Sequence, residues 1–406
     1  HVFKNHYPDE ERSAARPLKT SPCYDRLKNL GAVFGSSFGW ERANWFMPKG
    51  YALTDDDLQR DNTLWNKNHS SPLDDGRIVE KNSFRRSNYF NFMGEECRHV
   101  HSHVGILDMS AFSKVLISGP RAEDWLDSML ANKVPTNQGR IALCHMLTSN
   151  GGVRSEFTVY KKSKNCFYLV FSGASERHDL DYLEKLLPTD GSVRIQNITT
   201  QKGVFVIAGP KSRLLLQKLT DTPLTNEKFG WLSGKTISIG YGIADALRIN
   251  FVGELGWELH HPIEMQNYIF DEIMKAGEEF NIRPFGIRAM DSMRLEKSYR
   301  VIPKEMSIEY SAFESGLDRF IKLDKSSDFI GKTALKKSME DANKNNFVTL
   351  EVLDTKDADA RGSEGIFKNG ELVGRATSGG FGFRINKSLA LGLVQSEYSK
   401  IGEKLE

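Results

Sequence analysis

A glutamate close to a glycine-rich turn is the first candidate for binding chemistry in this chain. The stretch Ala246–His260 contains Glu258, and apolar runs flank the four residues Gly253-Glu254-Leu255-Gly256. Glycine at turn positions between β-rich runs predicts a β-hairpin. If those four residues form the loop, Phe251 lies opposite Glu258 and the carboxylate shares a face with apolar side chains. A carboxylate beside an aromatic ring could bind a flat ligand that presents two N–H donors.

The register of this hairpin decides whether Glu258 is a binding residue. A shift by one residue would turn Glu258 to solvent, and periodicity alone leaves both registers open. In the first register the carboxylate needs a hydrogen-bonding or charged partner, because burying an unpaired carboxylate is costly.

A second glutamate, Glu156, lies in a strand-like run over residues 151–160. A polar segment, Lys161–Asn165, joins that run to a second one, Phe167–Ser172, and this pattern predicts another hairpin. Glu156 alternates with polar residues while the positions between them are apolar. Periodicity alone therefore predicts that Glu156 is solvated.

Three histidines, His99, His101 and His103, lie in a helical pattern that starts near Asn88. On a helix the first and third share a face and the second points away. At most two could bind the same ion, and tetrahedral zinc needs more ligands than that. We expect surface histidines and no structural metal.

Composition restricts the class of protein. The chain has 406 residues, 39% of them hydrophobic and 27% charged, which is typical of a soluble globular protein with two or three domains. A formal net charge of +2 gives no reason to expect nucleic acid or an anionic membrane as a partner. No apolar run approaches the length of a membrane span. The four cysteines form no Cys-x-x-Cys pair, which argues against a zinc ribbon and indicates a reducing compartment, the cytoplasm or the mitochondrial matrix.

One pattern occurs twice. Residues Val115–Leu126 and Val204–Leu215 each contain a β-rich run, a Gly-Pro pair and an amphipathic helix. Proline in a first helical turn loses no hydrogen bond, which explains the junction. Repeated units of this kind among antiparallel strands predict an α+β architecture. Neither G-x-G-x-x-G nor G-x-x-x-x-G-K-[ST] occurs, so we expect the chain to lack a dinucleotide site and to bind no FAD by itself.

The two ends of the chain are patterned differently. Before residue 50 the only periodic element is Tyr24–Leu30, and residues 54–87 are polar and predicted to be loop. From Asn345 the chain is strand-like, and Asn369-Gly370 is a strong hairpin signal, so a small β-barrel or jelly roll is expected. The chain starts without methionine and stops where another strand is expected, which suggests a piece of a larger polypeptide.

Short motifs in a fixed order resemble a known family. In this order, over residues of about 90 to 395, they resemble the glycine-cleavage T-protein (aminomethyltransferase) pattern. The motifs are Asp108–Ser110, Ile117–Pro120, Gly151-Gly152, Gly253–Leu259, Arg294–Glu296, Phe313–Gly316, Phe329–Lys332 and Thr377–Gly379. Three N-terminal stretches resemble the segment that joins the FAD half to the folate half of dimethylglycine and sarcosine dehydrogenases; these are Tyr7–Arg12, Arg16–Pro22 and Gly39–Phe46.

The resemblance implies a fold and an activity. The fold would be a T-protein-like clover-leaf of antiparallel α/β subdomains around a central tetrahydrofolate site, with a C-terminal β-barrel. Residues 1–66 would be the connector, 67–325 the folate-binding module and 326–406 a truncated C-terminal domain. An FAD domain, absent from this chain, would oxidise an N-methyl amine to an iminium. Tetrahydrofolate would capture that iminium, or formaldehyde, as 5,10-methylenetetrahydrofolate.

The resemblance also implies site residues. Glu156 corresponds to the catalytic carboxylate near folate N10, where the T-protein pattern has aspartate, and Glu258 corresponds to the glutamate that reads the pterin. Three family residues are replaced: two tyrosines by Leu143 and Phe251, and an arginine by Met290. The full predicted folate-binding set is Glu258, Phe251, Leu143, Trp257 and Met290.

Two other functions fit the same resemblance. One is a non-catalytic subunit of this fold, like the regulatory subunit of pyruvate dehydrogenase phosphatase. The other is a free-standing aminomethyl- or methyltransferase. Carboxylates at both Glu156 and Glu258 favour the folate-dependent module over the first, and the connector-like N-terminal segment argues against the second.

Overall fold

The computed structural model describes residues 7–11, 16–48, 50–51, 83–339 and 344–406. Helices in these ranges are α1 (Tyr24–Asn29), α2 (Phe90–Ser102), α3 (Ala122–Met129), α4 (Glu176–Lys185), α5 (Ser212–Gln217), α6 (Gln266–Gly277), α7 (Ile287–Leu295) and α8 (Lys332–Ser338). The first strands are β1 (Ala32–Ser37), β2 (Trp40–Phe46), β3 (Gly105–Asp108), β4 (Ser113–Ser118), β5 (Ile141–Leu147), β6 (Val153–Ser163), β7 (Cys166–Phe171), β8 (Arg194–Asn197) and β9 (Lys202–Ala208). The remaining strands are β10 (Gly234–Ile239), β11 (Gly242–Leu247), β12 (Gly256–Pro262), β13 (Arg283–Pro284), β14 (Asn345–Glu351), β15 (Gly365–Lys368), β16 (Glu371–Gly382) and β17 (Lys387–Gln395). In the described ranges no helix is both long and apolar enough to cross a bilayer.

The first subdomain is a five-stranded sheet in the order β5-β6-β7-β4-β8. Helices α3 and α4 cover one of its faces, where Trp125 and Leu183 pack on Phe157 and Phe167. The predicted hairpin between residues 153 and 171 is confirmed, with Val159 opposite Leu169. The apolar half of the β6 alternation therefore faces the two helices, and the half that contains Glu156 faces away from them.

The second subdomain is a six-stranded sheet in the order β10-β11-β12-β9-β3-β13. Successive side chains of β9 point to opposite faces of this sheet. Phe205 packs in the core that includes residues of α5 and α6, and Val206 packs in the core that includes residues of α2 and α7. Both copies of the Gly-Pro pattern connect a strand to a helix, β4 to α3 and β9 to α5. The α+β prediction is confirmed.

The two sheets face each other across an interface that is apolar at one end. Tyr160 and Tyr168 of the first sheet pack there with Leu247 of the second. The hydroxyl of Tyr168 lies 3.0 Å from Nδ1 of His260 in β12, and both side chains are buried. The faces that carry Tyr168 and His260 therefore lie toward each other, and the region between these two sheet faces is called the cleft below.

The C-terminal domain is a four-stranded antiparallel sheet in the order β14-β17-β16-β15. Within residues 344–406 this sheet has two edges, so the predicted closed barrel is not formed by the described strands. The predicted turn at Asn369-Gly370 is confirmed, and both residues have positive φ, 51° and 82°. Left-handed conformations at both central positions match the twist of a tight hairpin.

A hairpin near the N-terminus was missed by the sequence analysis, which predicted only the short helix α1 there. Strands β1 and β2 form a two-stranded sheet, and Trp45 is fully buried. One carboxylate of α2, Glu96, accepts hydrogen bonds from the backbone N–H of Phe46 (2.6 Å) and of Gly286 (2.7 Å), just before α7. The hairpin is thus fixed to two helices of the second subdomain. The loop predicted over residues 54–87 lies mostly outside the described residues.

A buried ion pair connects α7 to the C-terminal sheet. Arg294 of α7 and Glu305 are both fully buried, with Nη1 and Oε2 3.2 Å apart. Arg294 also donates to Ser378 of β16 (2.8 Å), and Glu305 accepts from Thr377 (2.8 Å) and from Ser378. Every charged group in this network has a partner, which is the condition for burying charges.

We expect Glu305→Ala to destabilise the protein by about 3 kcal/mol, because it removes the one fully buried carboxylate partner of the Arg294 guanidinium and leaves only the pair with the half-exposed Asp291 (2.7 Å). The free energy of unfolding in urea measures this. The double variant Arg294→Met with Glu305→Leu should recover part of the loss, since neither charge remains. Asp181→Ala, which removes a surface ion pair with Lys185, serves as control and should unfold like wild type. Wild-type stability in Glu305→Ala would contradict the assignment.

Candidate functional site

The hairpin around Glu258 forms, but its register differs from the prediction. Leu247 lies opposite Glu258, and β12 begins at Gly256. The prediction that Phe251 pairs with Glu258 was wrong. The side chain of Asn250 explains the wider loop: its Oδ1 accepts from the N–H groups of Val252 (3.0 Å) and Gly253 (3.1 Å), and its Nδ2 donates to the carbonyl of Glu254 (2.6 Å). An asparagine that replaces backbone pairing in this way stabilises a loop instead of a tight turn.

Glu258 points into the cleft between the two sheets and is 7% exposed. Its Oε2 lies 3.1 Å from Nε2 of His260, two residues along the same face of β12. Burial lowers the pKa of His260 even though the hydrogen bond with Glu258 opposes this, so the imidazole is neutral at pH 7. A carboxylate can only accept, which places the proton on Nε2 and makes the Tyr168 hydroxyl the donor to Nδ1.

The chain Tyr168–His260–Glu258 therefore holds one carboxylate oxygen in a fixed position. The second oxygen, Oε1, has no hydrogen-bond partner among the described residues. An accessible acceptor on an otherwise buried side chain fits a ligand with N–H donors. The sequence does not predict His260 and Tyr168 as partners of Glu258, because the two residues lie on different subdomains; only the alternation of His260 with Glu258 indicates a shared face.

Glu156 lies on the opposite wall of the cleft. It faces His145 across the β5–β6 pair, with Oε1 and Nε2 3.1 Å apart, and its side chain is 28% exposed while that of His145 is fully buried. Leu143 is on the same face, opposite Thr158, and is half-buried. Periodicity identified the face of Glu156 correctly, but this face borders the cleft and is only partly open to solvent.

A segment after α7 joins the two walls and was also missed. The ring of Tyr299 contacts that of Phe251, with centroids 5.4 Å apart. The next residue, Arg300, donates to the carbonyl of Ser315 (2.9 Å) and lies over the ring of Phe347 at 4.0 Å. Burial lowers the pKa of Arg300, and the negative charges of Glu305 and Glu156 act against that shift. Arg300 therefore brings a positive charge into the electrostatic environment of Glu156.

The other two predicted residues have different positions. Met290 is partly buried on α7 and packs on the core between α7 and the six-stranded sheet. Trp257 is fully buried in the core on the opposite face of the sheet from Glu258. Neighbouring residues of a strand point to opposite faces, so the structure does not bring Trp257 into the cleft.

His99, His101 and His103 separate as the helical spacing predicts, but the expectation of surface histidines was wrong for His99, which is buried, and for His101, whose side chain is 10% exposed. The rings of His99 and His103 stack with centroids 4.9 Å apart. His101 points away from them, with Nδ1 2.9 Å from Glu254 and Nε2 3.4 Å from Glu296. Both carboxylates also bind Arg384 of the C-terminal domain. Glu254 accepts from the side chain of Arg384, and Glu296 accepts from the backbone N–H of Arg384 (2.7 Å). His101 thus ties the loop of Asn250 to that domain. In the described ranges no group of three ligands could hold a metal ion.

The cleft combines two carboxylates with different surroundings. Glu258 is buried and fixed by a neutral histidine, which suits recognition of a neutral N–H edge. Glu156 lies at a more open position, where a carboxylate can accept a proton or stabilise a positive charge on a reacting group.

Comparisons with known proteins identify the family and the fold. Residues 23–325 match the family model described as the GCVT N-terminal domain, and residues 345–406 match the glycine cleavage T-protein C-terminal barrel domain. The crystal structure of glycine cleavage system aminomethyltransferase T from Bartonella henselae has a TM-score of 0.75, at 20% identity, and covers 96% of this chain and 93% of its own. The predicted T-protein fold is confirmed.

Two curated relatives are longer than this chain. Mitochondrial dimethylglycine dehydrogenase of Mus musculus is 38% identical over 402 residues, which are 98% of this chain and 43% of the relative. The mitochondrial pyruvate dehydrogenase phosphatase regulatory subunit of Mus musculus is 26% identical over 412 residues, 99% of this chain and 44% of the relative. The chain spans less than half the length of each of these two proteins.

Replacing His101 by Gln should reduce stability most at acid pH. Burial opposes the charged ring, but hydrogen bonds with Glu254 and Glu296 outweigh burial and raise the pKa of His101 above 6.5. The stabilisation is complete below the unfolded pKa and is lost as pH rises through the folded pKa. The difference in Tm between wild type and His101→Gln should therefore be largest at acid pH and shrink as the pH rises above about 6.5. His178→Gln, at a ring that is 58% exposed, is the control; a Tm difference independent of pH would disprove the charge assignment.

Proposed function

The chain belongs to the glycine cleavage T-protein family, and from this premise we propose that it is the tetrahydrofolate-dependent one-carbon transfer module of a flavin-linked N-methyl amine dehydrogenase. The observation that carries the proposal is the position of Glu258 and Glu156 on facing walls of one cleft. The similarity to dimethylglycine dehydrogenase supports the substrate class, an N-methylated amino acid.

The free oxygen of Glu258 supports pterin recognition. A pterin ring presents a ring N–H and an amino group side by side, and a carboxylate can accept from both. His260 and Tyr168 hold the carboxylate before the ligand arrives, so little conformational entropy is lost on binding. Phe251 lies at the rim with Tyr299, where an aromatic ring could pack on the flat ligand. Leu143 and Met290 would supply apolar contacts in place of polar ones.

Tetrahydrofolate supplies the nucleophilic nitrogen that takes up the one-carbon unit. Glu156 would stabilise the positive charge that develops on that nitrogen and accept its proton. His145, fully buried beneath it, holds the carboxylate in place. The walls of the cleft would keep the reacting groups in attack geometry and limit access of water.

The electrophile would come from outside this chain. The dehydrogenase relative is more than twice as long as the matched region, and the sequence contains no dinucleotide fingerprint. We therefore assign FAD to another part of the protein, whose product, an iminium or formaldehyde, this module captures. The cysteines of the described residues are all free thiols, which agrees with a reducing compartment such as the mitochondrial matrix.

A second candidate function is regulatory, because the phosphatase regulatory subunit matches almost the whole chain. A subunit without chemistry has no need for two carboxylates in a cleft. Titration with tetrahydrofolate separates the two functions, since a purely regulatory chain should not bind it through Glu258.

Glu258→Gln should weaken tetrahydrofolate binding by about ten- to a hundredfold. The amide places a donor against the N–H groups of the pterin, and a hydrogen bond to a charged group is worth about 1.5–3 kcal/mol. Calorimetric titration measures the change. Glu264→Gln, at an exposed position after β12, is the control. Wild-type affinity in Glu258→Gln would refute the pterin assignment.

Glu156→Gln should leave tetrahydrofolate affinity close to wild type and slow one-carbon capture. The carboxylate is assigned to a charge that develops only during the reaction, so its loss lowers the rate and spares ground-state binding. The rate of 5,10-methylenetetrahydrofolate formation from supplied formaldehyde, measured beside the titration, tests this. An unchanged rate would return Glu156 to a structural role.

A further inference from the structure

A cavity of about 510 Å³ lies beside α7, and of the predicted folate-binding residues only Met290 lines it. Its walls come from four parts of the chain: the N-terminal hairpin with Arg42, the start of α2 with Met93, the first turns of α7 with Arg288, and the C-terminal domain with Phe381. These parts are distant in sequence, so the cavity exists only when the N-terminal hairpin is docked.

The acidic side chains of the walls are already engaged. Asp359 accepts two hydrogen bonds from Arg86, both 2.7 Å. Asp9 pairs with Arg361 at 2.7 Å. Glu11 accepts from the N–H of Ser36 and from the side chain of Asn44, both at 3.0 Å. These contacts compensate the negative charges of the lining with donors of the protein itself.

Arg42 is the exception. Its Nε is buried and has no hydrogen-bond partner, and no carboxylate of the described residues forms an ion pair with its guanidinium. Burial, together with the like charge of Arg288, lowers the pKa of Arg42, while Glu11 opposes the shift. Lys304 adds another positive charge to the lining. Burying a cation without a partner is unfavourable, so the cavity is prepared for an anion.

The rest of the lining selects the kind of anion. Met93, Met290, Leu295 and Phe381 provide apolar walls, which suit an organic molecule. Because the acidic side chains of the lining already have partners, about one positive charge, that of Arg42, is left uncompensated; a single carboxylate balances it, whereas a multiply charged phosphate would exceed it. A carboxylate also matches the planar donors of arginine. Asp291, which is 44% exposed, uses Oδ1 in its ion pair with Arg294 (2.7 Å), and its Oδ2 can face an ammonium group beside that carboxylate.

We propose that this cavity binds the carboxylate of an amino acid-like ligand, with Arg42 as its principal anchor. The chemistry has two sources, a free N-methyl amino acid and the glutamyl tail of tetrahydrofolate, and Met290 lines the cavity as well as belonging to the expected folate set. Both sources rest on the proposed function.

The first experiment is calorimetric titration of the 406-residue chain with N,N-dimethylglycine. Its analogue 2-(dimethylamino)ethanol has no carboxylate and is the ligand control. Arg42→Gln should weaken dimethylglycine binding about tenfold or more, the loss expected for a charge-assisted bidentate pair. Arg42→Lys keeps the charge and should retain part of the affinity. Arg121→Gln, at a side chain that is 61% exposed, is the matched protein control and should bind like wild type.

The second experiment compares tetrahydrofolate with tetrahydropteroate, which lacks the glutamyl tail. If the tail occupies the cavity, Arg42→Gln weakens tetrahydrofolate binding and leaves tetrahydropteroate binding unchanged. If a free amino acid occupies it, only dimethylglycine binding responds. Wild-type affinity of Arg42→Gln and of Lys304→Gln for all three ligands, or absence of dimethylglycine binding with no preference for the glutamyl form, overturns the proposal.

The glutamate variant separates this proposal from the function on which it rests. Glu258→Gln should leave dimethylglycine binding at its wild-type value, since Glu258 is not part of the cavity lining. If tetrahydrofolate binding does not depend on Glu258 but dimethylglycine binding depends on Arg42, the cavity proposal stands and the folate assignment fails.

Discussion

The buried hydrogen bond between Tyr168 and His260 connects the two sheets beside an apolar contact. Tyr168 belongs to the first subdomain and His260 to the second, and both side chains are buried. Burying these two side chains is favourable only if both ring nitrogens of His260 and the hydroxyl of Tyr168 have hydrogen-bond partners. Glu258 completes that set, so the same contact that joins the subdomains also determines which oxygen of Glu258 remains for a ligand. The contact that joins the two sheets therefore also orients the carboxylate of Glu258.

The C-terminal domain completes the cleft from outside. Arg294 and Glu305 form a fully buried ion pair, and both bind Ser378 of β16, which attaches this domain to α7. The chain between Arg294 and Glu305 contains Tyr299 and Arg300. Those two residues reach Phe251 on one wall and the surroundings of Glu156 on the other. The position of the third sheet therefore affects both carboxylates, although none of its strands contributes a residue to the proposed chemistry.

Local sequence patterns predicted hairpins and strand faces well, but they did not predict the contacts that those strands make with distant parts of the chain. Alternation gave the hairpins and the face of Glu156, because strand periodicity is a property of neighbouring residues. The register at Glu258 could not be predicted, since the Asn250 side chain takes over backbone bonds that a tight turn would need. The β1–β2 hairpin was missed because Glu11 and Glu96 from elsewhere in the chain stabilise it. Trp257 and Glu258 are adjacent in sequence, yet only the sheet order shows that they serve opposite faces.

The N-terminal anchoring has a practical meaning for where this module can be cut. The family model begins at residue 23, but Arg16 forms an ion pair with Glu41 at 2.5 Å, where the two side chains are 4% and 1% exposed. Ser21 donates to Asp108 of the six-stranded sheet, also at 2.5 Å. A fragment trimmed to the family boundary would bury Glu41 without its cation. The family model thus leaves out N-terminal residues that make buried contacts with the rest of the protein, and an expressed fragment should start before Arg16.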